Sequence, residues 1–175
     1  MPEVTDFTEE SLFAIWSAPV VYGDPRAVIL AVISEVESSV DFILQEEIEE
    51  SATGVSMISD YFVRKKLPDY FMTWSGRKEL LRDLFRFNGF SNSVGQEFML
   101  IVEIRNALVH GNGSLTELQC KDLKRMLNLK TGLSSKFSIG FSGRRLVLDS
   151  RICSEVCEAC AKFLIEVDRT VAKQK

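Results

Sequence analysis

Apolar residues recur every three or four positions through a long stretch near the beginning of the chain. The apolar positions are Val28, Ile29, Val32, Ile33, Val36, Val40, Ile43 and Leu44. This spacing places them on one face of an α-helix, and the Asp24-Pro25 pair before them is typical of a helix start, because proline fits the first helical turn. The pattern predicts one long helix from Pro25 to about Glu50. Its exposed face is expected to carry the acidic residues Glu35, Glu37, Asp41, Glu46 and Glu49.

Further segments carry helical patterns or helix boundary signals. They predict helices over residues 9–16, 57–66, 75–87, 93–110 and 114–128, and a last helix over 150–171. Leu67-Pro68 should end the second of these and Gly89 the third. The basic residues of the third helix are expected largely on the side opposite its apolar stripe: Arg77, Lys78, Arg82 and Arg86. Gly111-Asn112-Gly113 is a strong stop signal, and the S-x-x-E pattern that begins at Ser114 predicts the start of the next helix.

Two short stretches near the end of the chain alternate apolar and polar residues instead. Residues 137–141 and 145–148 do so around Ser142-Gly143, which predicts a β-hairpin. A two-stranded ribbon of this size is not stable alone, so we expect it to pack on the helices. No repeat or linker interrupts the chain. The pattern therefore predicts a single all-α domain over residues 1–175, a helical bundle with a small β-hairpin before the C-terminal helix.

Composition is that of an ordinary globular protein, with 46% hydrophobic and 26% charged residues. No apolar run approaches the ~20 residues that a membrane span needs, and no signal-peptide pattern opens the chain, so a cytoplasmic protein without a membrane partner is expected. The net charge of −4 is unevenly distributed, at −12 over residues 1–60 and +8 over residues 61–175. This asymmetry permits one basic face to bind nucleic acid, or complementary contacts between subunits.

The four cysteines are expected to be reduced thiols, because this chain is longer than a small disulfide-stapled domain. Cys153, Cys157 and Cys160 follow a C-x3-C-x2-C spacing that some iron–sulfur proteins use. Here the spacing places all three on one face of the predicted last helix, as buried thiols that act like small apolar residues. Only Cys120 remains as another thiol ligand. The sequence therefore predicts no metal site and no cofactor.

The only histidine of the chain, His110, lies five residues after Arg105 at the end of a predicted helix. Histidine can transfer protons near neutral pH, and arginine is a permanently charged fork that suits phosphate. RNA cleavage without a metal needs both, for proton transfer at the ribose and the leaving oxygen and for charge on the phosphorane. Five helical residues rotate a side chain by about 140° and advance it by about 7.5 Å. The two side chains can therefore meet only if the helix ends near His110, or a second chain completes the site.

A structural interpretation of the same residues stays open at this point. A histidine before glycine at a helix end can simply bond the last backbone carbonyls. Arg105 can likewise pair with Glu103 or another carboxylate, and neither role involves catalysis.

The octet Ile104-Arg105-Asn106-Ala107-Leu108-Val109-His110-Gly111 resembles the signature of the HEPN superfamily, an arginine and a polar residue followed by histidine at R-x4-6-H spacing. The resemblance implies a helical bundle in which Arg105, Asn106 and His110 are catalytic. It implies metal-independent RNA cleavage, with Arg105 binding phosphate, Asn106 positioning, and His110 as general acid and base. It also implies a homodimer whose motif helices face each other across a two-fold axis.

The resulting hypothesis is an endoribonuclease of toxin or defence type that cuts RNA, mainly single-stranded, at a composite dimer site. The alternative is a noncatalytic HEPN-like regulator or interaction module, similar in kind to the mannitol operon repressor. A third possibility is an antitoxin or immunity protein whose acidic long helix covers a basic partner. For the endoribonuclease, an antitoxin or another defence-system protein is the expected protein partner.

Overall fold

The computed structural model describes residues 4–52 and 56–173, and these residues are mostly helical. The helices are α1 (Asp6–Tyr22), α2 (Pro25–Ala52), α3 (Met57–Lys65), α4 (Leu67–Phe71), α5 (Trp74–Phe85), α6 (Ser93–His110), α7 (Leu123–Lys136) and α8 (Arg151–Ala172), with a 3₁₀ turn over Gly89–Ser91. An antiparallel hairpin of β1 (Ile139–Ser142) and β2 (Arg145–Leu148) precedes α8. The predicted all-α class with a hairpin before the C-terminal helix is confirmed. Within the described residues, no helix combines the length and the apolar character that crossing a bilayer requires.

The long helices α2 and α8 lie at the centre of the bundle, where α1, α5 and α6 pack around them. An aromatic cluster joins α6 to α8. Phe98 of α6 stacks on Phe163 of α8 with ring centroids 3.9 Å apart, and Trp74 of α5 meets both rings edge-on. The first two rings are fully buried. This cluster attaches the N-terminal half of α6 to the bundle, which matters because α6 carries the candidate motif.

The predicted long helix and the predicted motif helix are both confirmed, as α2 and α6. The first helix is longer than predicted, because it begins at Asp6 and continues past Trp16 to Tyr22. A buried carboxylate explains the early start. Asp168 of α8 accepts hydrogen bonds from the backbone N–H and hydroxyl of Thr5 and from the hydroxyl of Thr8. The first turn of α1 is therefore attached to the last turns of α8.

The helix predicted to begin at Ser114 is wrong. Ser114 forms a β-bridge with Arg145, and the next helix, α7, begins at Leu123 with Asp122 as its N-cap. It then runs to Lys136, beyond the predicted end at Asn128. Two smaller corrections concern the helices before the motif. Leu67-Pro68 ends α3 as predicted but also begins α4. Helix α5 ends at Phe85, and Arg86 after it takes a left-handed conformation, three residues before Gly89.

Two acidic residues predicted on the exposed face of α2 bond to α5 instead. Glu37 accepts from the indole N–H of Trp74 at 2.8 Å. Asp41 accepts two hydrogen bonds of 2.7 Å from Arg77, which is buried and does not lie with the other basic residues of α5. Burial raises the pKa of Asp41 above its ordinary value, and the hydrogen bonds from Arg77 oppose that rise.

The predicted burial of the three C-terminal cysteines is confirmed. Cys153, Cys157 and Cys160 are all buried on one face of α8, and the thiol of Cys157 donates to the carbonyl of Ile15. Burial raises the pKa of Cys157 to about 11 and raises the pKa of its two neighbours as well. These thiols are therefore protonated at neutral pH and pack as apolar groups. Among the described residues, no group of three or more His, Cys, Asp or Glu side chains is arranged to hold a metal ion.

Replacing Arg77 with alanine should lower the free energy of unfolding by about 3 kcal/mol at neutral pH, because the half-buried Asp41 loses its partner. Urea denaturation measures this. The loss should shrink as the pH falls through the raised pKa of Asp41, since a protonated carboxyl is less costly to bury. Arg82→Ala is the control, because its ion pair with Asp83 is exposed and contributes little. Equal stability of the two variants would contradict the prediction.

Candidate active site at the end of helix α6

Arg105, Asn106 and His110 meet at the last turns of α6, within one chain. Nη1 of Arg105 lies 3.3 Å from Nε2 of His110 and 3.4 Å from Oδ1 of Asn106. Arg105 and Asn106 are half-buried, and His110 is exposed. The helix ends directly after His110. A helix end at this point is one of the two arrangements that let the side chains of residues 105 and 110 meet. A long arginine side chain spans the remaining angle between positions 105 and 110.

The contact between Arg105 and His110 fixes which ring nitrogen faces the guanidinium. A guanidinium has only donors, so Nε2 of His110 must be the acceptor. An imidazole that accepts through Nε2 carries its proton on Nδ1. Nε2 holds the lone pair that a general base needs, and it lies beside a permanent positive charge. The other N–H groups of Arg105 have no partner among the described residues.

The contacts of a purely structural role are absent from the described part of the chain. The carboxylate of Glu103 accepts from Nε2 of Gln119 at 2.6 Å rather than from Arg105. Arg105 takes part in no salt bridge there, and the ring of His110 bonds to no backbone carbonyl. The two residues contact each other instead. This leaves a guanidinium and an imidazole together, with one side open to solvent.

The turn after His110 depends on glycine at position 111. The N–H groups of Gly111 and Gly113 both donate to the carbonyl of Ala107, at 3.1 and 2.9 Å, which closes the helix end. A Cβ atom on Gly111 would lie 1.8 Å from the carbonyl oxygen of Ser114, so no other residue fits without moving the backbone. The predicted stop signal is confirmed. It presents His110 at the surface instead of within a longer helix.

Arg26, which the sequence analysis did not single out, lies at the same helix end. Its Nη2 donates to the carbonyl of Leu108 at 2.9 Å and lies 3.4 Å from Oδ1 of Asn112. A cation at this position offsets the partial negative charge of the helix C-terminus. Arg26 is the only basic residue among residues 1–60, and that isolation was the signal available in the sequence.

The β-hairpin also attaches here, and not only to the helices as predicted. The N–H of Leu146 donates to the carbonyl of Gly113 at 2.9 Å, and the N–H of Leu115 donates to the carbonyl of Arg144 at 2.8 Å. The bridge between Ser114 and Arg145 lies between these two bonds. The residues after the motif are therefore joined to β2 through a single β-bridge and the two backbone hydrogen bonds beside it.

Comparisons with protein-family models, with curated protein sequences and with solved structures found no match for this chain. Membership in the HEPN superfamily, which the resemblance of residues 104–111 implies, stays a prediction.

Replacing Gly111 with alanine should open this turn, because the new methyl group overlaps the backbone of Ser114. We expect the free energy of unfolding to fall by about 2 kcal/mol in urea denaturation. The matched control is Gly132→Ala inside α7. There the added Cβ meets only the flexible side chain of Leu100, and alanine favours the helix. Equal effects of the two substitutions would show that the close approach at Gly111 is unimportant.

Proposed function

We propose that this chain is a cytoplasmic, metal-independent endoribonuclease of toxin or defence type that acts on single-stranded RNA as a homodimer. One observation carries the proposal: the guanidinium of Arg105 lies 3.3 Å from Nε2 of His110 and pairs with no carboxylate among the described residues. This is a base and a cation side by side. Together they fit an attack that needs proton removal and charge stabilisation at one phosphate.

The proposed reaction uses the ribose as its own nucleophile. The 2′-hydroxyl gives its proton to Nε2 of His110 as its oxygen bonds to the adjacent phosphorus. The bond from phosphorus to the 5′-oxygen breaks, and that oxygen takes a proton from an imidazolium. Arg105 stabilises the negative charge on the phosphorane, and Asn106 orients the guanidinium through its amide oxygen. The products are a 2′,3′-cyclic phosphate and a 5′-hydroxyl.

A homodimer supplies the second imidazole that this reaction uses as its acid. An exposed apolar surface on α1 supports such a dimer, and α1 ends at Tyr22, four residues before Arg26 in the chain. The residues of this surface are Phe13, Trp16, Val20, Val21 and Tyr22. Apolar patches of this kind are typical of subunit interfaces.

The same apolar surface favours a second candidate, a noncatalytic HEPN-like interaction module. In that case α1 binds another protein, such as an antitoxin or another defence-system component, and the residues at the end of α6 have no substrate. The two candidates differ in one measurable property, because only the first predicts RNA cleavage that depends on Arg105 and His110.

Incubation with single-stranded RNA in the presence of a chelator should produce fragments with 2′,3′-cyclic phosphate and 5′-hydroxyl ends. Arg105→Ala and His110→Ala should each lower the cleavage rate by about 100-fold or more, because each removes one half of the chemistry. RNA with 2′-O-methyl at the scissile ribose should resist. Arg82→Ala, which changes an exposed arginine of α5, is the control. Equal cutting by all variants, or 5′-phosphate ends, would overturn the proposal.

Sedimentation at micromolar concentration should give about twice the chain mass of 19.8 kDa. We expect a dimer because pairing of two copies would bury the exposed apolar residues of α1. Mixing wild-type with His110→Ala protein tests the composite site further, because a mixed dimer keeps only one imidazole and should cleave far more slowly than the wild-type dimer. A monomer that cleaves RNA at the wild-type rate would contradict the composite site and leave the chemistry standing.

A further inference from the structure

The turn of the β-hairpin presents two arginines beside the candidate active site. Arg145 pairs through its backbone with Ser114, four residues after His110. Successive side chains of a strand point to opposite faces, and Leu146 is buried. Arg145 therefore points to the solvent side, and Arg144 is exposed at the tip of the turn. The backbone bonds to Gly113 and Leu115 hold both arginines against the loop that follows the motif.

Neither arginine has an ionic partner among the described residues. Arg151 and Arg82 are also exposed but pair with Asp149 and Asp83, whereas Arg86, Arg125 and Arg169 are single exposed arginines without an ion pair among the described residues. Two adjacent unpaired guanidiniums create a positive potential that attracts an anion. Arginine forks match phosphate oxygens well, in geometry as well as charge.

Two further groups hold the hairpin in place. The ammonium of Lys130 donates to the carbonyl of Gly143 at 2.6 Å and lies 5.2 Å from the ring centroid of Phe141. At the other end, the backbone N–H and the hydroxyl of Ser138 both donate to the carboxylate of Glu155 at 2.6 Å. A turn anchored in this way loses little conformational entropy when a ligand binds.

We propose that Arg144 and Arg145 form a phosphate-binding subsite for the RNA strand next to the scissile bond. This inference rests on the proposed ribonuclease function and names the part of the molecule that holds the substrate. The subsite contacts the sugar–phosphate backbone, so it contributes affinity and register without reading the base sequence. Arg105 and His110 carry out the cleavage, and Arg144 and Arg145 bind the RNA backbone.

Binding can be measured apart from cleavage with a fluorescent 2′-O-methyl RNA of about 12 nucleotides, which lacks the attacking hydroxyl. In fluorescence anisotropy, Arg144→Gln/Arg145→Gln should bind about ten-fold more weakly than wild type at moderate salt. The slope of log K against log salt should fall by about 1.4, since each lost phosphate contact on a single strand contributes about 0.7.

The control is Arg169→Gln/Lys173→Gln, which removes two exposed charges near the far end of α8. That end lies about 27 Å along the helix from Arg151, so RNA affinity and salt slope should match those of wild type. With cleavable RNA, the hairpin variant should raise KM and leave kcat nearly unchanged, because it loses binding and not chemistry.

The possible results separate this inference from the proposed function. If the wild-type protein cleaves RNA and the hairpin variant binds RNA as tightly as wild type, the subsite is wrong and the proposed ribonuclease function stands. Arginine-dependent binding without cleavage overturns the ribonuclease and keeps the subsite. A hairpin variant that binds RNA normally but sediments differently would show that the arginines contact a second copy of the chain, which also overturns the inference. If the wild-type protein neither cleaves nor binds RNA, both the subsite and the ribonuclease function are wrong.

Discussion

The close return of the chain at Gly111 is the constraint on which the rest of the site depends. Only a residue without Cβ lets the carbonyl of Ser114 approach this position. Because the chain turns there, α6 ends at His110 and the imidazole reaches the surface. Because it turns so tightly, Gly113 and Leu115 are placed where β2 and the hairpin turn can bond to them. One steric requirement thus determines both the end of the motif helix and the position of the hairpin.

The site also depends on the rigidity of α6. Phe98 in its N-terminal half stacks on Phe163 of α8, and Ile101, Ile104 and Ala107 further along are fully buried, so the helix axis cannot shift easily. The C-terminal turn then collects positive charge, from Arg105 along the helix and from Arg26 on α2. Such charges would repel each other elsewhere. At a helix C-terminus the partial negative charge of the free carbonyls compensates them, which helps to explain why Arg105 is stable without a carboxylate partner.

Much of this fold could be predicted from the sequence, and the reasons for the failures are specific. The bounds of α6 follow from apolar periodicity and a glycine stop, which are both local signals. Ser114 was misassigned because a capping box is local, whereas its actual partner, Arg145, is distant in the chain and bonds through backbone atoms that leave no pattern. Apolar periodicity predicts Asp41 on the exposed face because charged residues usually face solvent. The pattern within one helix contains no information about Arg77, which approaches from another helix.

The site itself was predictable only in its residue types. The resemblance named Arg105, Asn106 and His110, and simple helix geometry warned that positions 105 and 110 diverge by about 140°. The length of the arginine side chain resolves that difficulty inside one chain, as the 3.3 Å contact demonstrates. Dimerisation is therefore not needed to bring cation and base together. Its remaining role in the proposed chemistry is narrower, because one neutral imidazole can accept the 2′ proton but cannot also hold the proton that the leaving oxygen needs at that moment.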